Sequence, residues 1–375
     1  MKLLKHIYKT KTLSEYGVFL FIALLLILLL GNIFIPEYRV QNIDAQLLKI
    51  KGKHFKFDDD PHVAEFIRSV KSNNGYICMG TSESTPLRDG NYYEFLDRDT
   101  SYATRFSILG GAGWSCGIHM AMLLNHQEEV DSLKLIYFIN PVYWRSELNG
   151  FKKGYWTRYL NYSAYRHTVR GNMAQGFSEI SNEYSEVLNP GEKFLFIMEY
   201  WLREIRKPFF RDLRYWLFPE EYEQDLSFPV QEKKDLQEYA WFGKIDNTYI
   251  DTSWNVTYEF KTRNWLNPII DNDYRNRELI AFISLCNELN VNVIFILGPV
   301  NEIYIRKYHQ PYYEGYMQAV AGIRDILDRE GVDYIDATEL GNIPGSFMDN
   351  QHHSSYGAYL IYQKIKTYIH EKNNH

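Results

Sequence analysis

The apolar positions of this chain fall into two regimes. Gly17 to Ile35 is a near-continuous apolar run, broken only by Asn32. From about residue 74 onward, short apolar stretches alternate with longer segments whose apolar residues recur at helical spacing. The short stretches, Tyr76–Met79, Phe106–Leu109, Leu133–Ile139, Val291–Leu297 and Val332–Ile335, read as buried strands. The longer ones, Trp114–His126, Asp273–Leu289, Tyr312–Glu330 and Tyr356–His370, read as helices. In the third of these, Tyr316, Val320, Ile323 and Leu327 line one face. Strands alternating with helices predict an α/β domain in three layers, α/β/α, with a mostly parallel sheet covered on both faces. Residues 36–73 read as a mixed polar connector, and residues 150–270 as a helical insertion that breaks the alternation. Within the insertion, Phe194 to Phe218 is aromatic and partly basic, with Arg203, Arg206, Lys207, Arg211 and Arg214. It reads either as a surface helix with a core-facing aromatic stripe or as a face turned toward a membrane or partner.

The first run is long enough to matter. As a helix, the 19 residues of 17–35 would span about 28 Å, close to the roughly 30 Å of a bilayer core. Lys2, Lys5, Lys9 and Lys11 precede it, against a single acid, Glu15. That asymmetry predicts a cytoplasmic segment at 1–16, one transmembrane helix at 17–35, and an extracytoplasmic domain over 74–375. A cleavable signal would have a shorter apolar region ending at an Ala-x-Ala-like site. Gly31-Asn32-Ile33-Phe34-Ile35-Pro36 has no such site.

Composition narrows the partners. A formal net charge of -6 argues against a nucleic-acid footprint, which needs a basic stripe. The 31 tyrosines suit carbohydrate or interfacial contacts, although an AT-rich coding bias would also raise their number. Cys78, Cys116 and Cys286 have neither a disulfide framework nor metal-ligand spacing, and the His352-His353 pair lacks companion ligands. No metal or cofactor is expected.

In parallel sheets, ligands bind beyond the carboxyl ends of the strands. The special residues of this chain fall there. Gly80-Thr81-Ser82-Glu83-Ser84 follows the first strand, Gly110-Gly111-Ala112-Gly113 the second, Asn140-Pro141 the third and Gly298-Pro299-Val300-Asn301 the fourth. Asp349-Asn350-Gln351-His352 precedes the last helix, with Gly357 five residues beyond the histidine. A serine becomes a useful nucleophile only beside a base that a carboxylate orients, so Ser82, His352 and Asp349 form a candidate acyl-transfer triad. Each half alone has an ordinary alternative, Ser82 as a turn or helix-capping residue and Asp-x-x-His as a structural loop. Ser84 stands where the α/β-hydrolase elbow needs its second glycine, which excludes that elbow.

Taken in order, these blocks resemble the SGNH (GDSL-like) hydrolases, and within them the DltD branch, the membrane-anchored proteins of lipoteichoic-acid D-alanylation. The resemblance rests on Gly80-Thr81-Ser82-Glu83, Asn140-Pro141-Val142-Tyr143-Trp144, Pro299-Val300-Asn301, and Asp349 and His352 with Gly357. It spans roughly residues 15–370. Thr81 departs from the branch pattern, the tryptophan of the third block is displaced by one, and residues 150–270 are not matched to it.

The resemblance implies an SGNH-like fold in which Ser82 attacks an acyl carbonyl. His352 would take the serine proton and Asp349 would fix the histidine tautomer. The oxyanion would be held by the Ser82 N–H and by Gly111 or Gly113, where no side chain blocks close approach. The SGNH pattern adds an asparagine donor: Asn140 is the candidate, and Asn301 the other choice, with turn-capping an equal role for it. The substrate implied is a cell-envelope polymer such as teichoic acid or polysaccharide, and the partner a membrane-bound O-acyltransferase. Transfer to a sugar or polyol hydroxyl and hydrolysis by water remain open, as does a different class, an anchored non-catalytic scaffold. His353 is the alternative base, but only His352 fits both the Asp and the Gly spacing. A reporter active only in the cytoplasm, fused after His375, is expected to be silent; its activity would reverse the topology.

Overall fold

The computed structural model describes residues 16–24, 26, 61–84, 90–99, 101, 104, 106–109, 116–145, 164, 217, 237, 273–308 and 310–373. The chain divides into two compact units, Met1–Gln41 with Phe194–Ser227, and Asn42–Lys193 with Phe228–His375. In the first unit, residues 16–24 and 26 are helical and carry exposed apolar side chains, Leu20 and Phe21 among them. Residues 25 and 27–35 of the expected span lie outside the described residues. Among the described ones, no helix is long and apolar enough to cross a membrane. The insertion at 150–270 is likewise outside, save Ala164, Leu217 and Gln237.

The second unit holds a five-stranded sheet. In chain order its described elements are α1 (Pro61–Ser72), β1 (Tyr76–Met79), α2 (Tyr92–Arg98), β2 (Phe106–Ile108), α3 (Cys116–Asn125), α4 (Gln127–Val130) and β3 (Lys134–Ile139). After the insertion come α5 (Asp273–Glu288), β4 (Asn292–Leu297), α6 (Glu302–Tyr308), α7 (Gln310–Glu330), β5 (Tyr334–Asp336) and α8 (Ser355–Asn373). The strands lie in the order β2-β1-β3-β4-β5, and every neighbouring pair is parallel.

Successive residues of a strand point to opposite faces, and both faces are buried here. Ile77, Met79, Leu135, Tyr137, Ile139, Phe295 and Leu297 join one apolar core with residues of α1, α3, α5 and α7. Cys78, Ile136, Phe138 and Ile296 join a second core with residues of α2 and α8. A strand buried on both faces needs apolar residues at every position. The sequence YICM of β1 satisfies that, as does β3, KLIYFI, after its half-buried first residue Lys134.

Two features differ from the sequence reading. Residues 61–72, expected to belong to the connector, form α1. Its Val63, Phe66, Ile67 and Val70, spaced i, i+3, i+4 and i+7, are at most 1% exposed; burial of each such side chain contributes about 1.5–3 kcal/mol. The helix stops where Asn74 adopts a left-handed φ of 52°, and the Gly75 N–H returns to the Val70 carbonyl. The last strand begins at Tyr334 rather than Val332, because the chain turns at Gly331 (φ 64°) and the Val332 N–H is held by Leu327.

The start of α8 explains the glycine that follows the histidine. Ser354 caps this helix: its Oγ accepts the Gly357 N–H at 3.1 Å and donates to the Gly345 carbonyl at 2.6 Å. The cap presses the first turn onto the 345–346 loop, where the Ser346 carbonyl accepts the Ser354 N–H at 3.0 Å. A Cβ at position 357 would run into that carbonyl oxygen and lie 2.9 Å from the His353 Cβ. Helix propensity favours Gly→Ala by about 1 kcal/mol, while forcing a methyl against backbone costs about 1–3 kcal/mol. Gly357→Ala is therefore expected to lower stability in denaturant unfolding; a gain would mean that the loop yields.

Candidate active site

Ser82 opens a single 3-10 turn, Ser82–Ser84, three residues after β1 ends. The turn is tight because Gly80 admits it: a Cβ there would lie 2.7 Å from Ser84 Oγ and 2.9 Å from Phe138 Cβ. Ser84 Oγ pairs with the Tyr92 hydroxyl at 2.7 Å, and the Ser84 N–H returns to the Thr81 carbonyl. Ser84 thus belongs to the support of the turn. Ser82, 9% exposed, points its Oγ elsewhere: it lies 2.8 Å from His352 Nε2.

The Asp-x-x-His loop folds on itself. One oxygen of Asp349, Oδ1, accepts the Gln351 N–H at 2.9 Å and the His352 N–H at 2.6 Å, which closes a turn. The other, Oδ2, lies 2.5 Å from His352 Nδ1. Three-residue spacing is what lets one carboxylate do both. Burial alone would raise the Asp349 carboxyl, but the His352 hydrogen bond and charge and the two backbone N–H groups outweigh it and hold it below the usual carboxylate range. With an ionised Asp349 on Nδ1, the imidazole carries its proton there and turns the Nε2 lone pair to Ser82.

The loop is tied to the sheet by Asn301, which follows β4. Its Nδ2 donates to the Asp349 carbonyl at 3.1 Å, its N–H to the Asn350 carbonyl at 3.0 Å, and its Oδ1 accepts the Tyr304 N–H at 3.1 Å in the first turn of α6. These bonds give Asn301 a capping and anchoring role. Asn140 ends β3; its Oδ1 accepts the Val142 N–H at 2.9 Å and starts the 3-10 turn Pro141–Arg145. Gly111 and Gly113 lie outside the described residues. His353 is buried with its ring against Phe138 and Phe347, a packing position. Among the described residues no group of three His, Cys, Asp or Glu could hold a metal. Cys78, Cys116 and Cys286 are buried free thiols, and burial pushes Cys116 up to about 12.

Two further neighbours of the nucleophile lie inside blocks that the sequence marks, Asn140–Trp144 and Asp349–His352. The Tyr143 hydroxyl is 3.3 Å from Ser82 Oγ. Gln351 Nε2 lies 3.4 Å from that hydroxyl and 3.3 Å from His352 Nε2. Neither sits at a spacing that announces it; Tyr143 reaches the serine only through the pairing of β1 with β3.

The geometry, then, is that of a serine beside an oriented imidazole at the carboxyl edge of a parallel α/β sheet. The family model described as DltD protein matches residues 248–370, which contain the Asn301 block and the whole Asp349–His352 loop. The resemblance drawn from the sequence is thus present in that part of the chain. No curated protein sequence matches. Among solved structures, an acetyl xylan esterase (AlAXEase) aligns over 79% of this chain and 99% of its own at 9% identity and a TM-score of 0.39. An extracellular lipase from Streptomyces rimosus aligns over 77% and 97%, at 10% identity and a TM-score of 0.33.

A carboxyl held low in the folded state stabilises the fold above its unfolded value, about 3.9, and loses that contribution as pH falls through the folded value. Asp349→Asn is therefore expected to be less stable than wild type at neutral pH. The gap should narrow as acid protonates Asp349 in wild type. Thermal melts of both proteins from pH 7 downward check this; a gap that stays constant would remove the ionised Asp349 from the account.

Proposed function

We propose that this chain is a membrane-anchored, extracytoplasmic serine acyltransferase or esterase of DltD type, with an SGNH-hydrolase-like domain, that moves an acyl group onto or off a cell-envelope polymer. The observation that carries the reading is the line from Ser82 Oγ to His352 Nε2 and from His352 Nδ1 to Asp349 Oδ2. The DltD match over the loop that holds two of these residues supports it, as does the apolar run at 17–35 with its lysine flank.

In this reading His352 removes the Ser82 proton as Oγ bonds to the acyl carbonyl carbon. The leaving group then takes that proton from His352, and the acyl group remains on Ser82 as an ester. An acceptor hydroxyl next surrenders its proton to His352 and attacks the ester carbonyl. Ser82 Oγ leaves and recovers the proton. A sugar or polyol acceptor makes the protein a transferase; water makes it an esterase. The Ser82 N–H, with Gly111 or Gly113 and the Asn140 side chain, are the candidate oxyanion donors. A membrane-bound O-acyltransferase is the proposed partner that supplies or receives the acyl group.

Ser82→Ala removes one hydroxyl from a strand end and should leave the fold intact. Acyl loading of the envelope polymer in cells should fall to background, and ester cleavage by the purified protein by on the order of 10⁶-fold. His352→Ala should cost nearly as much, and Asp349→Asn less, about 10⁴-fold, because the imidazole stays in place. Wild-type polymer acylation in Ser82→Ala cells would instead favour a non-catalytic scaffold.

A further inference from the structure

Tyr143 and Gln351 have no part in the steps above, yet both touch their reacting atoms. They are 7% and 3% exposed. Tyr143 stands between Val142 and Trp144, which join the apolar core while Tyr143 does not. A 3-10 turn has three residues per turn, so consecutive side chains diverge by about 120°. Trp144 is fixed further by its Nε1, which donates to Asn276 Oδ1 on α5 at 2.8 Å. The turn thus spends its apolar neighbours on packing and leaves the tyrosine hydroxyl 3.3 Å from Ser82 Oγ.

The direction of each hydrogen bond follows from the tautomer. His352 donates Nδ1–H to Asp349, so its Nε2 accepts, and the single Ser82 proton is used on it. Ser82 Oγ then has only lone pairs to offer, and the Tyr143 O–H donates to it. The Tyr143 oxygen accepts in turn from Gln351 Nε2 at 3.4 Å. The amide must present nitrogen here, because its oxygen would otherwise face the His352 lone pair 3.3 Å away. That orientation leaves the buried Gln351 Oε1 with no hydrogen-bond partner among the described residues. An unsatisfied buried acceptor is destabilising, so packing alone does not account for this side chain.

We infer that Tyr143 is a further catalytic residue of this site, its hydroxyl donating to Ser82 Oγ as that oxygen gains negative charge, and that Gln351 positions it. The inference rests on the serine mechanism proposed above. As His352 takes the serine proton, Oγ acquires alkoxide character, and a hydrogen bond to an anionic acceptor is roughly twice as strong as a neutral one. The bond therefore strengthens toward the transition state, which is the condition for accelerating the step. It weakens once Oγ is an ester oxygen and returns when Oγ leaves. Tyr143 keeps its own proton throughout.

The test is the rate at which a fluorophosphonate labels Ser82 in the full-length protein in detergent, together with kcat and KM on p-nitrophenyl acetate. Tyr143→Phe keeps the ring and should label about 10- to 100-fold more slowly, with kcat reduced in parallel, KM unchanged and melting temperature unchanged. Gln351→Met should slow labelling several-fold by loosening the tyrosine, and it carries the test if Tyr143→Phe does not fold. Adding Gln351→Met to Tyr143→Phe should cost less than the product of the two single effects. Ser82→Ala, the control, should not label. Labelling of a folded Tyr143→Phe at the wild-type rate overturns the role of Tyr143 alone. No labelling of wild type sinks the serine mechanism, and this inference with it.

Discussion

The parallel pairing of β3 between β1 and β4 is the constraint on which the rest depends. Met79 pairs with Tyr137, and Ile139 with Leu297, so three carboxyl ends come out at one edge of the sheet. The Ser82 turn, the Asn140–Tyr143 turn and the Asn301 loop leave from those ends within four residues of their strands. No loop has to travel to reach the site. Because both faces of these strands are buried, a one-residue slip in register would send each side chain into the opposite core and break the packing of both. The chemistry at the edge is therefore as well located as the core beneath it.

Phe138 shows how closely edge and core are joined. Its backbone and Cβ crowd Gly80 below the Ser82 turn, and its ring crowds Gly298 at the end of β4. The same ring stacks on Tyr92 and packs against His353. One side chain of the central strand thus sets the approach of both flanking loops and backs the Asp349–His352 loop. Asn301 adds the polar tie, taking the Asp349 and Asn350 carbonyls that a loop of this kind would otherwise leave to solvent.

What could be read from the sequence was what is local. The Asp349–His352 relation closes its own turn through one carboxylate oxygen, so a three-residue spacing announces it. The strands showed themselves as doubly buried apolar runs. α1 was missed because its four core residues lie in a stretch read as polar overall, although it packs on β1, which follows it directly, and on α4. β5 was expected to start two residues too early, where the Gly331 turn intervenes, and to end one residue short, because its last position is Asp336, a charge that sequence patterning excludes from a strand. In the fold that carboxylate pairs with Arg324 at 2.6 Å and accepts from Thr338. Tyr143 and Gln351 illustrate a third limit. The blocks that hold them are marked but their roles are not, and only the pairing of distant strands brings the tyrosine to the serine.

The partners in the Ser82–His352 hydrogen bond are 270 positions apart in the chain. At about 5–20 residues per second of synthesis, roughly 14–54 s separate the making of the serine from the making of its base. Throughout that interval the nascent chain carries its nucleophile without the imidazole that would activate it. The loop that supplies the imidazole is itself held by the Ser354 cap and by α8, which follow it. Timing is thereby written into the topology: reactivity arrives only with the last helix, after the rest of the sheet has been made.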